Sequence, residues 1–343
     1  MGKRSFYSVT FLAIIVSACS AAGAEFRKEQ GRTLSQSLFE TDFFIVSMSK
    51  LPTGHHLVDV TLNGTNGDFI LDTGASQTVL SERYIKRFGV DQSDYLRTEE
   101  GAGAGGSIQF DIYRISSLNI GKYSSEVKEV LVSDMGGVLT GLSSVTDRDI
   151  VGIIGQDLIR GGQAVLDVKG NSLNLRTNQV PQTDFQTMAD SCSKDFHNRL
   201  LSNGYTALPL RRLSIGHNTI EVSINEHPGI FIIDSGARAT FLNHEDRSKF
   251  DIHGNDVFRG RGTGQGAGGV VTSRRYKIAQ FALAGHGLDR NNIDTIDLSS
   301  VEAGIQERSN EDIDGVIGQD ILTRYESFID MASDLLYLKL PEN

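Results

Sequence analysis

Alternating apolar and polar positions predict short β-strands separated by tight turns along most of the chain. The segment Val58–Leu62 places apolar residues at every second position, which is the pattern of a strand buried on one face. Asn63–Gly64 follows and gives a strong hairpin signal, and residues 68–71 supply the returning strand. The chain is therefore expected to be mostly β.

Two of the predicted strands run into an acidic turn and then resume as apolar sequence. The first reads FILDTGA over Phe69–Ala75, and the second reads FIIDSGA over Phe231–Ala237. Because apolar residues return after each turn, Asp72 and Asp234 are expected inside the fold rather than at its rim. A buried carboxylate is costly unless it is paired or protonated. Two carboxylates in equivalent places thus predict one shared proton.

The chain is an internal duplication. An offset of 162 residues carries Val58–Leu62 onto Ile220–Ile224, and a later offset of 163 carries Gly152–Ile159 onto Gly315–Leu322. Each unit is expected to hold a short helix after an N-cap, at Ser81 or Asn243. The Gly-Gln-Asp stretches should begin a further helix, with Asp157 and Asp320 as structural residues. The closing strand pairs are expected at 165–168 with 173–175 and at 328–331 with 335–338.

The N-terminus has the pattern of a secretory signal over residues 1–24, with a basic start and a short apolar stretch. Val16–Cys19 resembles a bacterial lipobox, whereas Ala22–Ala24 fits ordinary cleavage before Glu25. The first alternative is favoured and predicts a lipidated Cys19. The protein is therefore expected in the bacterial periplasm, and its one membrane attachment would be this lipid. Further along, the predicted parts are a leader at 25–42, an N-terminal domain at 43–177, a linker at 178–204 and a C-terminal domain at 205–343.

Composition excludes several other functions. The 343 residues carry a formal net charge of −10, which argues against binding to nucleic-acid phosphates. The eight histidines show no metal-binding spacing, so no metal and no cofactor are expected, and His55–His56 is assigned to a solvated turn. Cys192 has no intramolecular partner once Cys19 is lipidated or removed, so the fold is not expected to depend on a disulfide.

The chain resembles two tandem copies of the retroviral-type (retropepsin-like) aspartic peptidase domain, as found in bacterial secreted proteins. The resemblance covers about 43–177 and 205–340. It is carried by the two acid turns and by a later apolar-apolar-Gly motif, at Ile153–Gly155 and Val316–Gly318. It implies an all-β fold with two closed β-barrel lobes, related by a pseudo-twofold axis and arranged as in pepsin-like enzymes. The later motif would pack beneath the acid turn.

The resemblance also implies a catalytic pair formed by Asp72 and Asp234, one from each lobe. Like charges held that close cannot both ionise, so the pair would hold one proton and activate a water between its carboxyl groups. The loops would be braced by a hydroxyl and shaped by a glycine in each copy, namely Thr73, Gly74, Ser235 and Gly236. Taken singly, each Asp-x-Gly is no more than a turn signal.

Glycine-rich stretches follow both acid turns at similar distances. Each contains a GxGxxG pattern, but no strand–helix–strand alternation surrounds it, so a dinucleotide site is rejected. As hairpin tips the glycines would let a flap bend and approach a substrate; the alternative is an unstructured surface loop. One stretch per unit favours two flaps, with tips at Gly103, Gly105, Gly264 and Gly266.

The residue after the loop glycine is alanine in both copies. A hydroxyl at Ala75 or Ala237 would stabilise the charged carboxylate, and alanine cannot, so activity is expected to extend toward neutral pH. Arg238 breaks the symmetry with Ser76 and either makes the two carboxylates inequivalent or faces solvent without influence. The sequence thus predicts a monomeric aspartic endopeptidase acting on peptides or proteins. Alternatives are a catalytically silent envelope protein that binds peptides or partner proteins, and a dimer with two composite sites.

Overall fold

The computed structural model describes residues 10–11, 43–177, 192–254 and 257–340. Over these ranges the chain is mostly β, as the alternating pattern predicts. The rest of the signal segment 1–24 with Cys19, the leader 25–42 and residues 178–191 of the linker lie outside the described residues. Within the described part of the chain, no helix has both the length and the apolar character needed to cross a membrane.

The described residues contain 27 strands, numbered here along the chain. Those up to residue 177 are β1 Thr10–Phe11, β2 Phe43–Ser47, β3 Ser49–Lys50, β4 His56–Leu62, β5 Thr65–Leu71, β6 Val79–Ser81, β7 Tyr95–Gly103, β8 Gly106–Arg114, β9 Leu118–Ile120, β10 Tyr123–Ser124, β11 Glu129–Ser133, β12 Ile150–Ile154, β13 Val165–Asp167 and β14 Ser172–Arg176. Those after residue 204 are β15 Thr206–Pro209, β16 Arg211–Arg212, β17 Asn218–Ile224, β18 His227–Ile233, β19 Phe241–Asn243, β20 Val257–Gly266, β21 Gly269–Lys277, β22 Phe281–Leu283, β23 His286–Leu288, β24 Asn292–Ile296, β25 Gly315–Ile317, β26 Phe328–Asp330 and β27 Leu335–Leu338.

The helices of the described residues are short. The α-helices are α1 Gly136–Ser143, α2 Gln156–Gly161, α3 Cys192–Ser202, α4 Ser299–Ser309 and α5 Gln319–Arg324. The 3₁₀ helices are Glu82–Phe88, Gln92–Asp94 and His244–Phe250. Ser81 and Asn243 stand at the predicted N-cap positions of two of these, although neither side chain makes a capping hydrogen bond.

Each unit forms one large sheet, and the strands follow the same order in both. The first sheet runs β1-β7-β8-β11-β6-β12-β5-β4-β9-β10 with β3 paired to β4; the second runs β20-β21-β24-β19-β25-β18-β17-β22-β23 with β16 paired to β17. Apart from the two-residue β1, every strand of the first sheet has an equivalent in the second. The duplication seen in the sequence is therefore a duplication of topology.

A third sheet joins the two units. Its order is β15-β27-β26-β13-β14-β2, with three strands from each unit. The closing strand pairs predicted from the sequence are both present, and they meet where β13 pairs antiparallel with β26. Leu166 at the centre of β13 lies opposite Ile329 at the centre of β26. This sheet holds the two lobes in one body.

The apolar core is continuous across that junction. One cluster of buried residues contains side chains of both units, including Leu166 and Ile329. Helix α3, within the predicted linker, packs Phe196 and Leu200 against Phe328 of the shared sheet. This part of the predicted linker therefore belongs to the packed fold.

Candidate active site

The two acid loops begin at equivalent places, where β5 and β18 end. Asp72 directly follows β5, and its N–H donates to the carbonyl of Ile154 at 3.0 Å. Asp234 directly follows β18, and its N–H donates to the carbonyl of Ile317 at 2.9 Å. Both acceptors belong to the apolar-apolar-Gly motif, which lies against the acid loop as the resemblance implies. A Cβ on Gly155 would lie 2.5 Å from the backbone of the first loop, so this close packing requires glycine.

Hydroxyl groups tie the two loops together reciprocally. The Thr73 hydroxyl donates to the carbonyl of Ile233 at 2.9 Å and accepts from the N–H of Ser235 at 2.9 Å. The Ser235 hydroxyl donates to the carbonyl of Leu71 at 3.0 Å and accepts from the N–H of Thr73 at 3.0 Å. Each hydroxyl thus donates and accepts inside the protein, which fixes the distance and orientation of the loops.

The carboxyl groups of Asp72 and Asp234 meet across the loops and are fully buried. Each one packs on the glycine of the other lobe. A Cβ added to Gly74 would lie 2.5 Å from the Cγ of Asp234, and one added to Gly236 would lie 2.4 Å from the Cγ of Asp72. Any side chain on either glycine would therefore displace the opposite carboxyl group.

Backbone N–H groups hold one oxygen of each carboxyl group. Asp72 Oδ1 accepts from the N–H of Gly74 at 2.7 Å, and Asp234 Oδ1 accepts from those of Gly236 and Ala237 at 2.8 and 3.0 Å. Both Oδ2 atoms are buried and receive no donor from the described protein groups. A single proton on the pair would supply a hydrogen bond between the two carboxyl groups.

The surroundings raise the pKa of both acids. Burial raises the pKa of Asp72, with smaller opposing contributions from its hydrogen bonds. Burial, followed by the negative charge of Asp72, raises the pKa of Asp234. Two interacting acids titrate as a pair, so the proton belongs to both. The site therefore favours a singly protonated pair, which offers one base and one acid side by side.

One glutamine side chain in each lobe donates a hydrogen bond to the backbone of the acid loop. Gln156 donates to the carbonyl of Thr73 at 2.6 Å, and Gln319 donates to that of Ser235 at 2.8 Å. Asp157 accepts from the backbone and hydroxyl of Thr78 at 3.0 and 2.8 Å, and Asp320 does the same with the equivalent Thr240. Asp157 and Asp320 each hold a threonine of their own lobe, which agrees with the structural role predicted for them.

The assignment of His55–His56 to a solvated turn is wrong. Both side chains are fully buried. His55 Nε2 lies 2.9 Å from the carbonyl oxygen of Gly236 in the opposite acid loop, while His56 Nε2 lies 3.1 Å from the carbonyl oxygen of Val168. The two residues stand where β4 begins, between the lobes. A sequence signal was present, because His217 occupies the same place in the second unit.

The glycine-rich stretches form two hairpins, β7–β8 and β20–β21, whose tips touch each other. The N–H of Gly268 donates to the carbonyl of Ala104 at 2.9 Å. A Cβ on Gly105 would lie 2.6 Å from the backbone of Gly269, and Gly105 has a φ of +96°, which favours glycine. The flaps are thus closed against one another through main-chain contacts.

The four predicted tip glycines do not all lie at a tip. Gly105 is in the first turn, and Gly103 and Gly266 end the strands that lead into the turns. Gly264 pairs with Val271 inside the second hairpin, two positions before the end of β20, so its assignment to a tip is wrong. Gly266 pairs with Gly269, so the turn of this hairpin lies at Ala267 and Gly268, beyond Gly264.

A small apolar cavity lies beneath the first flap. It has a volume of ≈ 20 Å³ and is lined mainly by apolar side chains of the first lobe and one of the second flap: Val79, Ile108, Phe110, Met135, Val138, Ile153 and Ala267. Such a volume holds about one water molecule.

Among the described residues, no group of three or more His, Cys, Asp or Glu side chains is arranged to hold a metal ion. In this part of the chain, Asp72, Asp234 and His55 are titratable, fully buried and hydrogen-bonded to the backbone of the acid loops. The site is therefore a pair of carboxyl groups, one from each lobe. Ala267 of the second hairpin packs against the apolar cluster that contains Ala75, and Ala104 of the first belongs to the cluster that contains Ala237.

Two aspartic proteases of solved structure are similar to the chain at low sequence identity. No curated protein matches the chain. Among solved structures, the aspartic proteinase from Irpex lacteus is 14% identical, with a TM-score of 0.44, over 86% of this chain and 96% of that one. A retropepsin-like aspartic protease from Rickettsia conorii is 17% identical, with a TM-score of 0.27, over 39% of this chain and 89% of that one.

The family model described as aspartyl protease matches the chain twice, at residues 58–158 and 220–321. Each match contains one acid loop and one apolar-apolar-Gly motif, and together they span more than half of the sequence. The chain therefore belongs to the aspartyl protease family and carries two tandem copies of its domain.

Proposed function

We propose that the protein is an aspartic endopeptidase whose catalytic residues are Asp72 and Asp234. The observation that carries the proposal is the contact of two buried carboxyl groups across the lobes, each held on the glycine of the other loop. Membership of the aspartyl protease family supports the same reaction class. Because both halves of the site come from one chain, a monomer is sufficient for activity.

In the proposed reaction, a water molecule between the carboxyl groups attacks the peptide carbonyl. The ionised carboxylate takes a proton from the water, and the protonated carboxyl group donates to the carbonyl oxygen. The tetrahedral intermediate then collapses: one of its two hydroxyl groups returns a proton to the ionised carboxylate as the carbonyl re-forms, the C–N bond breaks, and the leaving amine takes the proton of the other carboxyl group. The chain forms no covalent bond to the substrate, and the pair ends with one proton, as it began.

The substrate is proposed to be an extended peptide lying between the lobes under both flaps. Glycine-rich hairpin edges can pair with such a strand through main-chain hydrogen bonds. The flap tips touch each other at Ala104 and Gly268, so they must separate to admit it. The apolar cavity that contains Val79 and Ala267 would then enlarge around an apolar side chain.

The test is cleavage of a diverse peptide library by the purified protein, analysed by mass spectrometry over a range of pH. Asp72→Asn and Asp234→Asn are the matched controls, because each keeps the shape of the site and removes one ionisable group. Loss of all wild-type cleavage products in both variants supports the proposal. Products shared by the wild type and either variant would contradict it.

Peptides that bind but are not cleaved by the wild type would favour the catalytically silent alternative. Binding is measured on the same library by retention on immobilised protein. A wild type that neither cleaves nor binds peptides would remove both functions. Sedimentation of the soluble protein checks the monomer, since a composite site between chains would require a dimer.

A further inference from the structure

His55 reaches from the first lobe to the acid loop of the second. Its Nε2 lies 2.9 Å from the carbonyl oxygen of Gly236, and its Nδ1 lies 2.8 Å from the hydroxyl oxygen of Thr53. A carbonyl oxygen can only accept, so Nε2 carries the hydrogen and Nδ1 accepts from the Thr53 hydroxyl. The two contacts together select one neutral tautomer of the ring.

The carbonyl that His55 contacts is directly connected to Asp234. The C=O of Gly236 and the N–H of Ala237 belong to the same planar peptide unit. That N–H donates to Asp234 Oδ1 at 3.0 Å. A donor at the oxygen end of a peptide polarises its N–H end and strengthens the hydrogen bond made there. His55, the peptide and the carboxyl group therefore form one hydrogen-bonded chain across the lobes.

The other half of the molecule lacks this chain. His217 is the equivalent residue and is equally buried, but neither ring nitrogen has a hydrogen-bond partner among the described residues. The position equivalent to Thr53 is Ile215, which has no hydroxyl group to select a tautomer. The Gly74–Ala75 peptide beside Asp72 is thus not supported by an imidazole. The difference between the halves is one of contacts and of sequence.

We propose that His55 is a positioning residue that supports the Asp234 loop across the lobes and makes the two carboxyl groups inequivalent. The inference rests on the proposed function for its role in catalysis. The groups facing the imidazole are His56, beside it in the chain, and Arg238, from the second acid loop. Burial opposes a charged ring, and so do the positive charge of Arg238 and repulsion from His56 whenever that ring is protonated, so His55 acts as a neutral donor.

The test measures the protonation of the pair directly, using protein labelled with ¹³C at the aspartate carboxyl carbons. The signals of the pair are assigned by their loss in Asp72→Asn and Asp234→Asn. In His55→Phe the acidic midpoint of the pair should rise by roughly 0.3 to 0.6 of a pH unit, since weakening a charged hydrogen bond disfavours the ionised form. His55→Gln keeps a donor at nearly the same place and should restore the wild-type midpoint.

His217→Phe is the matched control from the other half and should leave the midpoint unchanged. Thr53→Val gives a second perturbation that keeps the imidazole; by releasing the tautomer it should raise the midpoint in the same direction but less. If His55→Phe does not fold, Thr53→Val and His55→Gln decide the question. An unchanged midpoint in Thr53→Val and His55→Phe, or an equal rise in His217→Phe, would overturn the proposal.

This measurement does not require peptidase activity. A wild type that shows the expected titration but cleaves no peptide would end the proposed function and leave the role of His55 in place. Peptide cleavage by the wild type, together with a titration midpoint of the aspartate pair that does not change in the His55 variants, would support the proposed function and overturn the role of His55. In an active enzyme, the acid limb of kcat/KM should follow the same order of variants, whereas a purely structural role would change thermal stability without moving that limb.

Discussion

The two lobes are alike where the carboxyl groups meet and different in what stands behind them. The acid loops share their glycine contacts and hydroxyl bridges almost bond for bond. Behind them, Gln156 accepts from Arg160 at 2.7 Å, whereas Gln319 accepts from the hydroxyl of Thr323 at 3.1 Å. The geometry of two touching carboxyl groups leaves little freedom at the loops. The supporting positions can differ, because many contacts can hold the same backbone.

The largest expected effect tests the part that is alike. Gly74→Ala and Gly236→Ala each place a methyl group 2.5 or 2.4 Å from the opposite carboxyl carbon, which must move away. Misplacing a reacting group by about 1 Å costs on the order of 100-fold in rate, so each variant should lose at least roughly that factor in kcat/KM. Peptide cleavage assays measure it.

Gly287→Ala is a control for the loss of a glycine, because nothing lies within 4 Å of a Cβ at that position and its φ is outside the left-handed region. The two loop variants should resemble each other closely. A severe loss in one loop together with near-normal cleavage in the other would show that the loops are not equivalent at the site.

The next-largest effect is on stability, and it tests a position at which the two units differ. Arg176 and Asp330 form a buried ion pair at 3.2 Å in the third sheet, which joins the two lobes. Arg176 also lies over the ring of Phe43. Without Arg176 the buried Asp330 keeps the hydrogen bonds from Ala332 and Ser333 but has no counter-ion, so Arg176→Met should lower the free energy of unfolding by about 3 kcal/mol. Denaturant unfolding measures it.

The equivalent position in the second unit is the exposed Lys339. Lys339→Met should change the same free energy by less than about 0.5 kcal/mol, as is usual for surface substitutions. Equal losses of unfolding free energy in Arg176→Met and Lys339→Met would contradict this difference between the two units.

Buried histidines predict a loss of stability in acid. Burial lowers the pKa of His55, His56 and His217 to about 4. Between pH 6.5 and 4 the unfolded chain binds more protons at these three histidines than the folded chain does. Their protonation therefore does not reduce the free energy of unfolding above pH 6.5 and reduces it progressively as the pH falls below that value. At pH 5 each should have cost about 2 kcal/mol. Unfolding free energies measured from pH 7.5 to 5 test this.

The dyad acts in the opposite direction, since its raised pKa values add stability at low pH that is lost as the pH rises through them. His217→Phe and His55→Gln each remove one buried histidine. In each variant the free energy of unfolding should therefore fall less steeply as the pH falls, and the two changes in slope should be similar. A slope unchanged in both variants would rule out these histidines as its source.

The smallest expected effect is a shift of the pH–rate profile. Ala75 and Ala237 are fully buried beside the carboxyl groups. A serine hydroxyl at either position would stabilise the charged form and lower the pKa of the pair. Ala75→Ser and Ala237→Ser should therefore move the profile toward acid by about half a pH unit, measured as kcat/KM. An unmoved profile would discard the role assigned to the alanines.

The sequence predicts the site where its signals are local. The acid loops, the apolar-apolar-Gly motif and the closing strand pairs can be recognised because each lies in a few consecutive residues and occurs twice. The environment of His55 could not be recognised in this way, since its partner Gly236 is 181 residues away. The contact of Ala104 with Gly268 likewise depends on how two hairpins meet, and the position of Gly264 depends on the pairing register of its own hairpin.

The pairing of β13 with β26 also bears on how such a chain arose. Leu166 and Ile329 are equivalent residues, and they lie opposite each other, so the local symmetry axis passes through this pair. A strand that pairs with its own counterpart in this way could equally pair two separate copies of a single-unit ancestor, residue against identical residue. Joining the copies in one gene would free each half to mutate alone, and an imidazole that braces one loop but not the other is a difference that identical subunits cannot encode.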